Sequence, residues 1–431
     1  MTRVLIRGGR LLDPLSGLDE LGDLLIEEGR IRAAGGQLDG RGAEVIEAAG
    51  AWVAPGFVDM HTHLREPGQE YKEDIASGGR AAAAGGFTTI ACMANTQPVN
   101  DDPATTDYIL DRARQDAPVR VYPIAAATRG LEGQVMTEMV ALVGAGAVAF
   151  SDDGRTIMDA DVMRRVLSYS RLVGAPVIAH CEDRCLVGEG VVNEGPCSTR
   201  PGLPGNPAIA ETVMVERDIL LAELTGAHLH VAHVSVAGAV DAIRRARERG
   251  VHVTAEVTPH HLALSDNETL GFDTHTKVAP PLRSAADIEA CRAGLVDGTI
   301  DAIATDHAPH AVHEKDQEFT VAPPGMIGLE TALAVVLDLV REGLLSPLEL
   351  VRRLSTNAAR ILRRPGGSLA VGELADLVIV DPDRRWTYDP AKGFSKSRNS
   401  PWAGKTFQGR AIVTLVAGRT VYDADRGMLV P

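Results

Sequence analysis

The chain has 431 residues, of which 45% are hydrophobic and 23% charged, and its formal net charge is −15. This hydrophobic fraction excludes a disordered chain. The acidic charge argues against a nucleic-acid partner, because neutralising phosphates requires clustered Lys and Arg. No run approaches the roughly 20 apolar residues that span a membrane, so no membrane association is expected. An α/β barrel commonly takes about 250 residues, which leaves room for one large domain and one smaller domain.

The two ends of the chain consist of short segments in which apolar and polar residues alternate, and glycine-rich turns join these segments. The predicted strands are Val4–Arg7, Asp23–Glu27, Arg30–Ala34, Glu44–Glu47, Leu377–Val380, Ile412–Ala417 and Thr420–Asp423. Neither end has enough strands to bury a core alone. Residues 1–55 and 366–431 are therefore predicted to form one small β-sandwich beside a central domain of residues 56–365.

The middle of the chain repeats a strand followed by a helix. The predicted strands are Gly56–His61, Phe87–Met93, Val119–Ala125, Ala147–Ser151, Pro176–His180, His228–His233, Val251–Val257 and Asp301–Thr305. Amphipathic helices are predicted between them, including Ala208–Leu224, Ala237–Arg249 and Ser284–Val296. Eight such units predict an α/β fold, a (β/α)₈ TIM barrel. A doubly wound open sheet is the alternative, but it rarely has eight units in series.

The sequence predicts a cytoplasmic protein with reduced thiols. Its five cysteines show no C-x-x-C spacing, so neither a disulfide framework nor a thiolate zinc site is expected. Residues 1–12 lack the apolar segment of a signal peptide.

Histidines and aspartates recur at the C-terminal ends of the predicted strands, where barrel enzymes place their active sites. The candidates are His61, His63, Asp153, His180, His233 and Asp306. Nitrogen and oxygen ligands without thiolates suit Zn²⁺, with Mn²⁺ or Co²⁺ as second choices. Six ligands exceed one tetrahedral site, so the set predicts two metal ions that share a bridging ligand and a bridging hydroxide.

The other histidines are mostly expected to be structural. His228 and His230 have the opposite parity to His233 on one predicted strand, so we expect them on its outer face. His260–His261 follow the seventh strand and stay open as functional candidates. His307 is expected to support the aspartate that precedes it.

Several motifs resemble those of a known family. Residues 56–65 (GFVDMHTHLR) look like the opening motif of the amidohydrolase superfamily. Residues 65–68 (REPG) resemble cyclic amidohydrolases, in particular type I dihydroorotases. Further similar segments are 93–96 (MANT), 151–154 (SDDG), 256–261 (EVTPHH), 280–283 (PPLR), 305–310 (TDHAPH) and 372–377 (GELADL). The similarity therefore covers nearly the whole chain.

The resemblance implies how two metal ions are held. The implied ligands of one are His61, His63 and Asp306, and those of the other are His180 and His233. In hydantoinases the bridge between the metals is a carboxylated lysine. This chain has no lysine between Lys72 and Lys277, and Asp153 occupies the corresponding place, as in bacterial type I dihydroorotases.

The resemblance also implies a reaction, the reversible cyclisation of N-carbamoyl-L-aspartate to L-dihydroorotate in de novo pyrimidine (UMP) biosynthesis. Asp306 would be the catalytic residue that transfers the proton. The implied substrate-binding residues are His63, Arg65, Asn95, Ala279, His310, Pro324 and Gly325. Ala279 replaces the family's usual Asn, and Pro324 stands where relatives often have an aromatic residue. The loop 310–325 is a candidate lid.

Two alternatives stay open. The first is another cyclic amidohydrolase (a hydantoinase, allantoinase or dihydropyrimidinase), which the missing lysine and Arg65 oppose and Ala279 slightly favours. The second is a metal-free, non-catalytic scaffold of aspartate transcarbamoylase, which the complete ligand set opposes. The partner hypotheses are a small-molecule substrate, a second copy in a homodimer, and aspartate transcarbamoylase.

Overall fold

The computed structural model describes residues 3–430, so residues 1, 2 and 431 of the predicted terminal segments lie outside the described residues. The strands are β1 Arg3–Asp13, β2 Leu18–Glu27, β3 Arg30–Ala34, β4 Glu44–Glu47, β5 Trp52–Pro55, β6 Phe57–Thr62, β7 Phe87–Cys92, β8 Arg120–Pro123, β9 Val177–Ala179, β10 Val192–Asn193, β11 Gly205–Asn206, β12 Leu229–Val231, β13 Val253–Val257, β14 Ala302–Ile303, β15 Leu377–Thr387, β16 Thr406–Val416, β17 Arg419–Asp423 and β18 Gly427–Met428.

The helices are α1 Ile75–Gly85, α2 Pro103–Asp116, α3 Met139–Ala145, α4 Ala160–Val173, α5 Arg184–Val187, α6 Pro196–Thr199, α7 Ile209–Thr225, α8 Ala237–Glu248, α9 Pro259–Ala263, α10 Ala285–Asp297, α11 Val312–Lys315, α12 Ala332–Arg341, α13 Pro347–Val351 and α14 Asn357–Leu362. Among the helices of residues 3–430, none combines the length and apolarity needed to cross a membrane.

Strands from both chain ends form one mixed sheet. Its order is β18-β17-β16-β15-β5-β1-β2-β3, with β4 paired to β1. The two ends meet where β5 pairs antiparallel with β15 and places Val53 opposite Ile379, and both of these side chains are buried. The chain ends therefore build one β-structure, while its folding into a sandwich stays a prediction.

The middle of the chain forms parallel ladders. One sheet has the order β6-β7-β8 and another the order β9-β12-β13-β14. Single parallel bridges connect these two sheets. Phe150 pairs with Ala125 and with Val177, and Thr62 pairs with His307. Backbone pairing therefore runs through all eight predicted segments and returns to the first.

The fourth predicted strand, Ala147–Ser151, is wrong as a strand, because the structure has single bridges at Phe150 in its place. The neighbouring segments carry Pro123 and Pro176, which have no backbone N–H to donate into a ladder. The segment still lies between them, since Val148 N–H donates to Pro123 O and Phe150 N–H donates to Pro176 O, both at 3.0 Å.

The three helices named from the sequence are confirmed to within one residue at each end, as α7, α8 and α10. The ends of α10 show why helix boundaries could be predicted from the sequence. The Ser284 hydroxyl accepts the backbone N–H of Asp287 at the N-terminus, and Gly298 ends the helix with φ of 86°. A serine N-cap and a left-handed glycine are the usual helix boundaries.

A buried carboxylate ties the first parallel strand to the last. Asp59 on β6 accepts hydrogen bonds from the backbone N–H groups of His61 and Thr305, both at 3.1 Å. It also accepts the Thr305 hydroxyl at 2.5 Å. Because Thr305 follows β14, this contact holds the end of β14, and with it Asp306, against β6.

Candidate active site

The six predicted metal ligands meet at the C-terminal ends of the parallel strands, and all six are buried. They are His61 and His63 at the end of β6, Asp153 after the Phe150 bridge, His180 after β9, His233 after β12 and Asp306 after β14. Parallel strands present their C-terminal ends at one edge, so residues far apart in the sequence come together here.

The carboxylate of Asp153 lies between the histidines. Its Oδ1 is 3.4 Å from Nε2 of His61 and of His233, and 3.7 Å from Nδ1 of His180. Its Oδ2 is 3.4 Å from Nε2 of His63. Oδ1 thus faces three of the histidines and Oδ2 faces the fourth, so this carboxylate lies at the centre of the cluster.

Asp306 faces the two histidines of β6. Its Oδ1 lies 3.0 Å from Nε2 of His63 and 3.4 Å from Nε2 of His61. Two overlapping groups have their ligand atoms within 4.8 Å of one another: His61, Asp153 and His233, and His61, His63 and Asp306. His180 lies outside both groups, but its Nδ1 is 2.8 Å from Nε2 of His233.

The donor atoms fit a divalent metal. Among residues 3–430, the buried Nε2 of His61 and Oδ1 of Asp153 have no hydrogen-bond partner. Leaving such atoms unsatisfied costs about 1–3 kcal/mol each, and a bound metal ion would satisfy both. Imidazole nitrogens and carboxylate oxygens are ligands of catalytic zinc sites.

The electrostatics of the cluster favour a cation. Burial opposes the effect, but the carboxylates of Asp153 and Glu256 raise the pKa of His61 well above its usual value. Burial is also outweighed at His180, where the nearby carboxylates of Asp153 and Glu182 raise the pKa to about 10. Without a metal His61 and His180 therefore hold protons, and metal binding would displace them.

Three residues of the site have a left-handed backbone, with φ of 62° at Arg65, 33° at His233 and 47° at Asp306. Such conformations cost a non-glycine residue of order 1–3 kcal/mol and concentrate at functional sites. At His233 the turn follows the end of β12, so this side chain does not obey the alternation of the strand.

Arg65 is buried beside the cluster. In the described chain its guanidinium makes one hydrogen bond, from Nε to Pro309 O at 3.2 Å. Burial lowers the pKa of Arg65, against the attraction of Asp306. The terminal nitrogens of Arg65 remain available to an anionic ligand, for which the planar guanidinium is well suited.

Asn95 contacts a predicted metal ligand, and His310 contacts the loop that ends at Gly325. Asn95 Oδ1 is 3.0 Å from Nδ1 of His63. His310 donates from Nε2 to Pro324 O at 2.9 Å, and its buried Nδ1 has no hydrogen-bond partner within residues 3–430. Burial and the charge of Arg65 lower the pKa of His310 to about 3, so the ring is neutral and Nδ1 can accept a hydrogen bond.

The loop that ends at Gly325 is held from within the protein. Lys315 Nζ donates to Pro323 O at 2.9 Å and to Gly325 O at 3.1 Å. The backbone N–H of Gly325 donates to Lys277 O at 2.8 Å. Ala279, two residues after Lys277, is half-buried. The bond to Lys277 therefore brings the loop next to the segment that carries Ala279.

The predicted outer-face positions of His228 and His230 are wrong. His230 is fully buried, and its Nε2 lies 3.2 Å from Oε2 of Glu256, whose Oε1 is 2.6 Å from Nδ1 of His61. His228 lies on the same face of β12 as His230. The parity argument fails because β12 ends before His233, where the backbone turns.

Glu256 is a site residue that the sequence analysis leaves without a role. It is fully buried on β13. Burial alone would raise its pKa, but His61 and His230 lower the pKa of Glu256 to about 2, so this carboxylate is ionised. The available signal was a carboxylate inside the strand Val253–Val257, since buried carboxylates need polar or charged partners.

The remaining histidine candidates separate by their contacts. His261 is hydrogen-bonded to the Thr258 hydroxyl at 2.8 Å, which makes it part of the α9 cap. The buried Nε2 of His260 has no partner among the described residues. His307 Nε2 lies 3.2 Å from Glu73, and its Nδ1 accepts the backbone N–H of Gly328 at 3.1 Å, so its support of Asp306 stays a prediction.

Known proteins with this fold are named as hydantoinases and dihydropyrimidinases. An L-hydantoinase (dihydropyrimidinase) from Arthrobacter aurescens superposes with a TM-score of 0.90 at 25% identity, covering 100% of this chain and 98% of that one. A dihydropyrimidinase from Brevibacillus agri gives a TM-score of 0.84 at 26% identity, covering 99% and 96%. The fold and the strand-end cluster thus define an enzyme of the amidohydrolase class.

Sequence relatives narrow this class. A family model described as Dihydro-orotase-like matches residues 50–238. A dihydroorotase of Anaeromyxobacter dehalogenans is 52% identical over 424 residues, covering 98% of each chain. A dihydroorotase of Pelotomaculum thermopropionicum is 53% identical over 420 residues, covering 97% of this chain and 98% of that protein. The chain belongs to the dihydroorotase family.

Proposed function

We propose that the protein catalyses the reversible cyclisation of N-carbamoyl-L-aspartate to L-dihydroorotate in de novo pyrimidine biosynthesis. The observation that carries the proposal is the strand-end cluster with Asp153, and no lysine, at its centre. In this proposal two Zn²⁺ ions bind the cluster and share Asp153. The ligands are His61, His63 and Asp306 for one ion and His180 and His233 for the other.

The proposed reaction is hydrolysis of a ring amide and its reverse. When bound, the metal ions would lower the pKa of a water molecule to about 7 and polarise the ring carbonyl. Asp306 is the proposed catalytic residue. Against the effect of burial, the charge of His61 and the hydrogen bond from His63 hold the pKa of Asp306 well below its usual range. The ionised Asp306 can take the proton of the attacking water and deliver it to the leaving ring nitrogen.

The substrate carboxylate has a proposed site beside Arg65 and Asn95; His310 is the third proposed substrate-binding residue, and its Nδ1 would contact the carboxylate only after taking up a proton. Arg65 offers its terminal nitrogens, and the Asn95 amide nitrogen is free to donate while its oxygen bonds to His63. A charge-assisted, bidentate contact of this kind is stronger than a neutral one. Ala279, Pro324 and Gly325 are proposed to border the ring, on the side that the loop 310–325 covers.

A hydantoinase or dihydropyrimidinase is the second candidate, since solved structures with the same fold carry those names. Two features of the chain oppose it. No lysine lies between Lys72 and Lys277 to bridge the metals. A substrate without a carboxylate would also leave the buried Arg65 unpaired, which costs free energy.

The test compares kcat/KM for L-dihydroorotate, hydantoin, 5,6-dihydrouracil and allantoin on one zinc-loaded preparation. Losing one charged hydrogen bond costs about 1.5–3 kcal/mol, so dihydroorotate is expected to be preferred by at least about 10- to 150-fold. Arg65→Met should narrow this preference while zinc content stays unchanged. A wild-type preference for hydantoin or allantoin would refute the proposal in favour of the second candidate.

The overall organisation is proposed on the same basis. We propose that the eight paired segments close into a (β/α)₈ barrel over residues 56–365. Residues 1–55 and 366–431 would form the β-sandwich, as the common sheet of both ends supports. A cytoplasmic location, a homodimer and association with aspartate transcarbamoylase stay predictions.

A further inference from the structure

A continuous line of hydrogen bonds runs through the interior of the parallel strands to the metal ligand His61. His228 Nε2 lies 2.8 Å from the hydroxyl of Thr254, and the same hydroxyl lies 2.8 Å from Nδ1 of His230. His230 Nε2 lies 3.2 Å from one oxygen of Glu256, and the other oxygen lies 2.6 Å from Nδ1 of His61. None of these contacts is part of the mechanism proposed above.

Strand register explains why these side chains line up. His230 on β12 is the direct partner of Thr254 on β13. His228 and His230 are two residues apart, as are Thr254 and Glu256, so both pairs point to one face of their strands. His61, on β6, approaches Glu256 from across that face.

The carboxylate of Glu256 fixes the direction of the two hydrogen bonds that it makes. Carboxylate oxygens accept, so Nε2 of His230 and Nδ1 of His61 both donate to Glu256. The Thr254 hydroxyl, which can both donate and accept, joins Nδ1 of His230 to Nε2 of His228 at 2.8 Å on each side. Burial, together with His252 and His230, lowers the pKa of His228 to about 3, so this ring is neutral.

We propose that His230, Thr254 and His228 are positioning residues that act through Glu256 to fix the tautomer and orientation of His61. With hydrogen kept on Nδ1, Nε2 is the nitrogen of His61 that would release its proton and bind a metal ion, and this buried atom has no other partner within residues 3–430. A carboxylate behind a ligating histidine makes the imidazole a stronger ligand, and loss of such a contact typically weakens metal affinity about 10- to 100-fold.

The far end of the line opens to solvent away from the metal ligands. A cavity of about 190 Å³ is lined by His228, His252, Thr254, Asp301, Asn357 and Arg360. The rings of His228 and His252 stack there with centroids 4.0 Å apart. The line therefore begins at a ring that lines this cavity and stacks on His252.

The test measures zinc affinity by competition with a chromogenic chelator and the visible spectrum of the cobalt-loaded protein, using four variants. His230→Phe should weaken zinc binding about 10- to 100-fold and shift the cobalt absorption. His230→Gln, whose amide can still donate to Glu256, should recover most of the affinity. Thr254→Val should weaken binding less than His230→Phe does, and Thr254→Ser, which keeps the hydroxyl, should match wild type.

The melting temperature of each metal-free variant separates positioning from a structural role. A lower melting temperature with wild-type zinc affinity and cobalt spectrum in His230→Phe would overturn the proposal. If His230→Phe does not fold, unchanged affinity and spectrum in Thr254→Val would overturn it. The inference rests on the metal centre of the proposed function, and the wild-type protein tests that centre first. Failure of wild type to bind zinc refutes the proposed function, whereas variants that bind like wild type refute the positioning line alone.

Discussion

Asp153 and Asp152 are adjacent in the sequence but have different environments. Asp153 faces the histidines, whereas Asp152 Oδ1 accepts the backbone N–H groups of Ala127 and Thr128, both at 2.9 Å, and its other oxygen accepts the Thr128 hydroxyl. The Asp152 carboxylate is therefore engaged by the loop after β8 and is turned away from the metal ligands.

This difference predicts unequal effects of two neighbouring substitutions. Asp153→Ala should lose much of the bound metal and nearly all activity, because it removes the shared ligand. Asp152→Ala should keep its metal and lose less activity, since it removes loop hydrogen bonds instead. Elemental analysis and dihydroorotate turnover on the same preparations check this. Equal losses at the two positions would refute the assignment of Asp153 as the shared ligand.

Asp306 has two proposed tasks, binding a metal and moving a proton. Asp306→Asn keeps one oxygen for the metal but cannot carry the proton. We expect it to retain zinc and bind dihydroorotate while kcat falls by at least about 10²-fold, the low end for general acid–base catalysis. Zinc content, substrate binding and kcat measured together check this. Turnover like wild type with full metal would show that the proton takes another route.

The ligands could be predicted from the sequence because each lies at or just after the end of a short apolar segment, and strand ends of a parallel fold share one edge. The supporting residues could not. The inward face of His230 depends on where β12 ends and on the turn at His233, neither of which alternation reveals. The partner of Glu256, His61, is 195 residues away in the chain.

A buried lysine organises the loop between α11 and Gly325. Lys315 is buried and donates to two carbonyls of this loop, Pro323 O and Gly325 O. Its neighbour Pro324 O accepts from His310. The ammonium group thus holds the backbone against which the His310 ring is oriented.

Lys315→Met should therefore impair substrate binding through this loop. It keeps the aliphatic stem but removes both hydrogen bonds. Burial lowers the pKa of Lys315 to about 7, so the amine is only partly charged at neutral pH and each hydrogen bond is worth about 0.5–1.5 kcal/mol. We therefore expect KM for dihydroorotate to rise about 2- to 13-fold. Zinc content should not change, because no proposed ligand lies on the loop. Lys392→Met, at a lysine whose side chain is 85% exposed, is the matched control. A wild-type KM in Lys315→Met would refute the role of this loop.

Predicted and observed elements agree where residues close in the sequence determine the structure. They differ where segments far away in the sequence determine it. The caps of α10 at Ser284 and Gly298 are local signals, so its bounds are readable from the sequence. The segment around Phe150 is an equally apolar run, but the prolines of the flanking segments reduce it to single bridges. The bridge partners of Phe150, Ala125 and Val177, lie on other segments of the chain. The local sequence pattern therefore did not reveal that this segment forms single bridges instead of a strand.

At the scale of the whole molecule, Glu330 joins the helical layer to the C-terminal part of the chain. This half-buried carboxylate lies just before α12 and accepts the backbone N–H of Phe394 at 2.9 Å. Burial, with a further contribution from the charge of Glu73, raises the pKa of Glu330 to about 7 from its ordinary value of 4.5. Between about pH 4.5 and 7 the Glu330 carboxyl is therefore protonated in the folded protein but ionised in the unfolded chain.

The sign of the resulting pH dependence follows. Below about pH 4.5 the carboxyl is protonated in both states; between about 4.5 and 7 folding takes up a proton, so stability falls as the pH rises. Above pH 7 the full destabilisation, roughly 3 kcal/mol, is present. Glu330→Gln should raise the melting temperature at pH 8 and leave it nearly unchanged at pH 4.5. An equal shift at both pH values would contradict the raised pKa.

The strand-end cluster is proposed to be a metal centre at which a cyclic amide is hydrolysed. Titrating the metal-free protein with Zn²⁺ while following hydrolysis of L-dihydroorotate tests this proposal. We expect no measurable turnover without metal and a rise that saturates near two equivalents of zinc per chain. Turnover that is the same with and without zinc would contradict it.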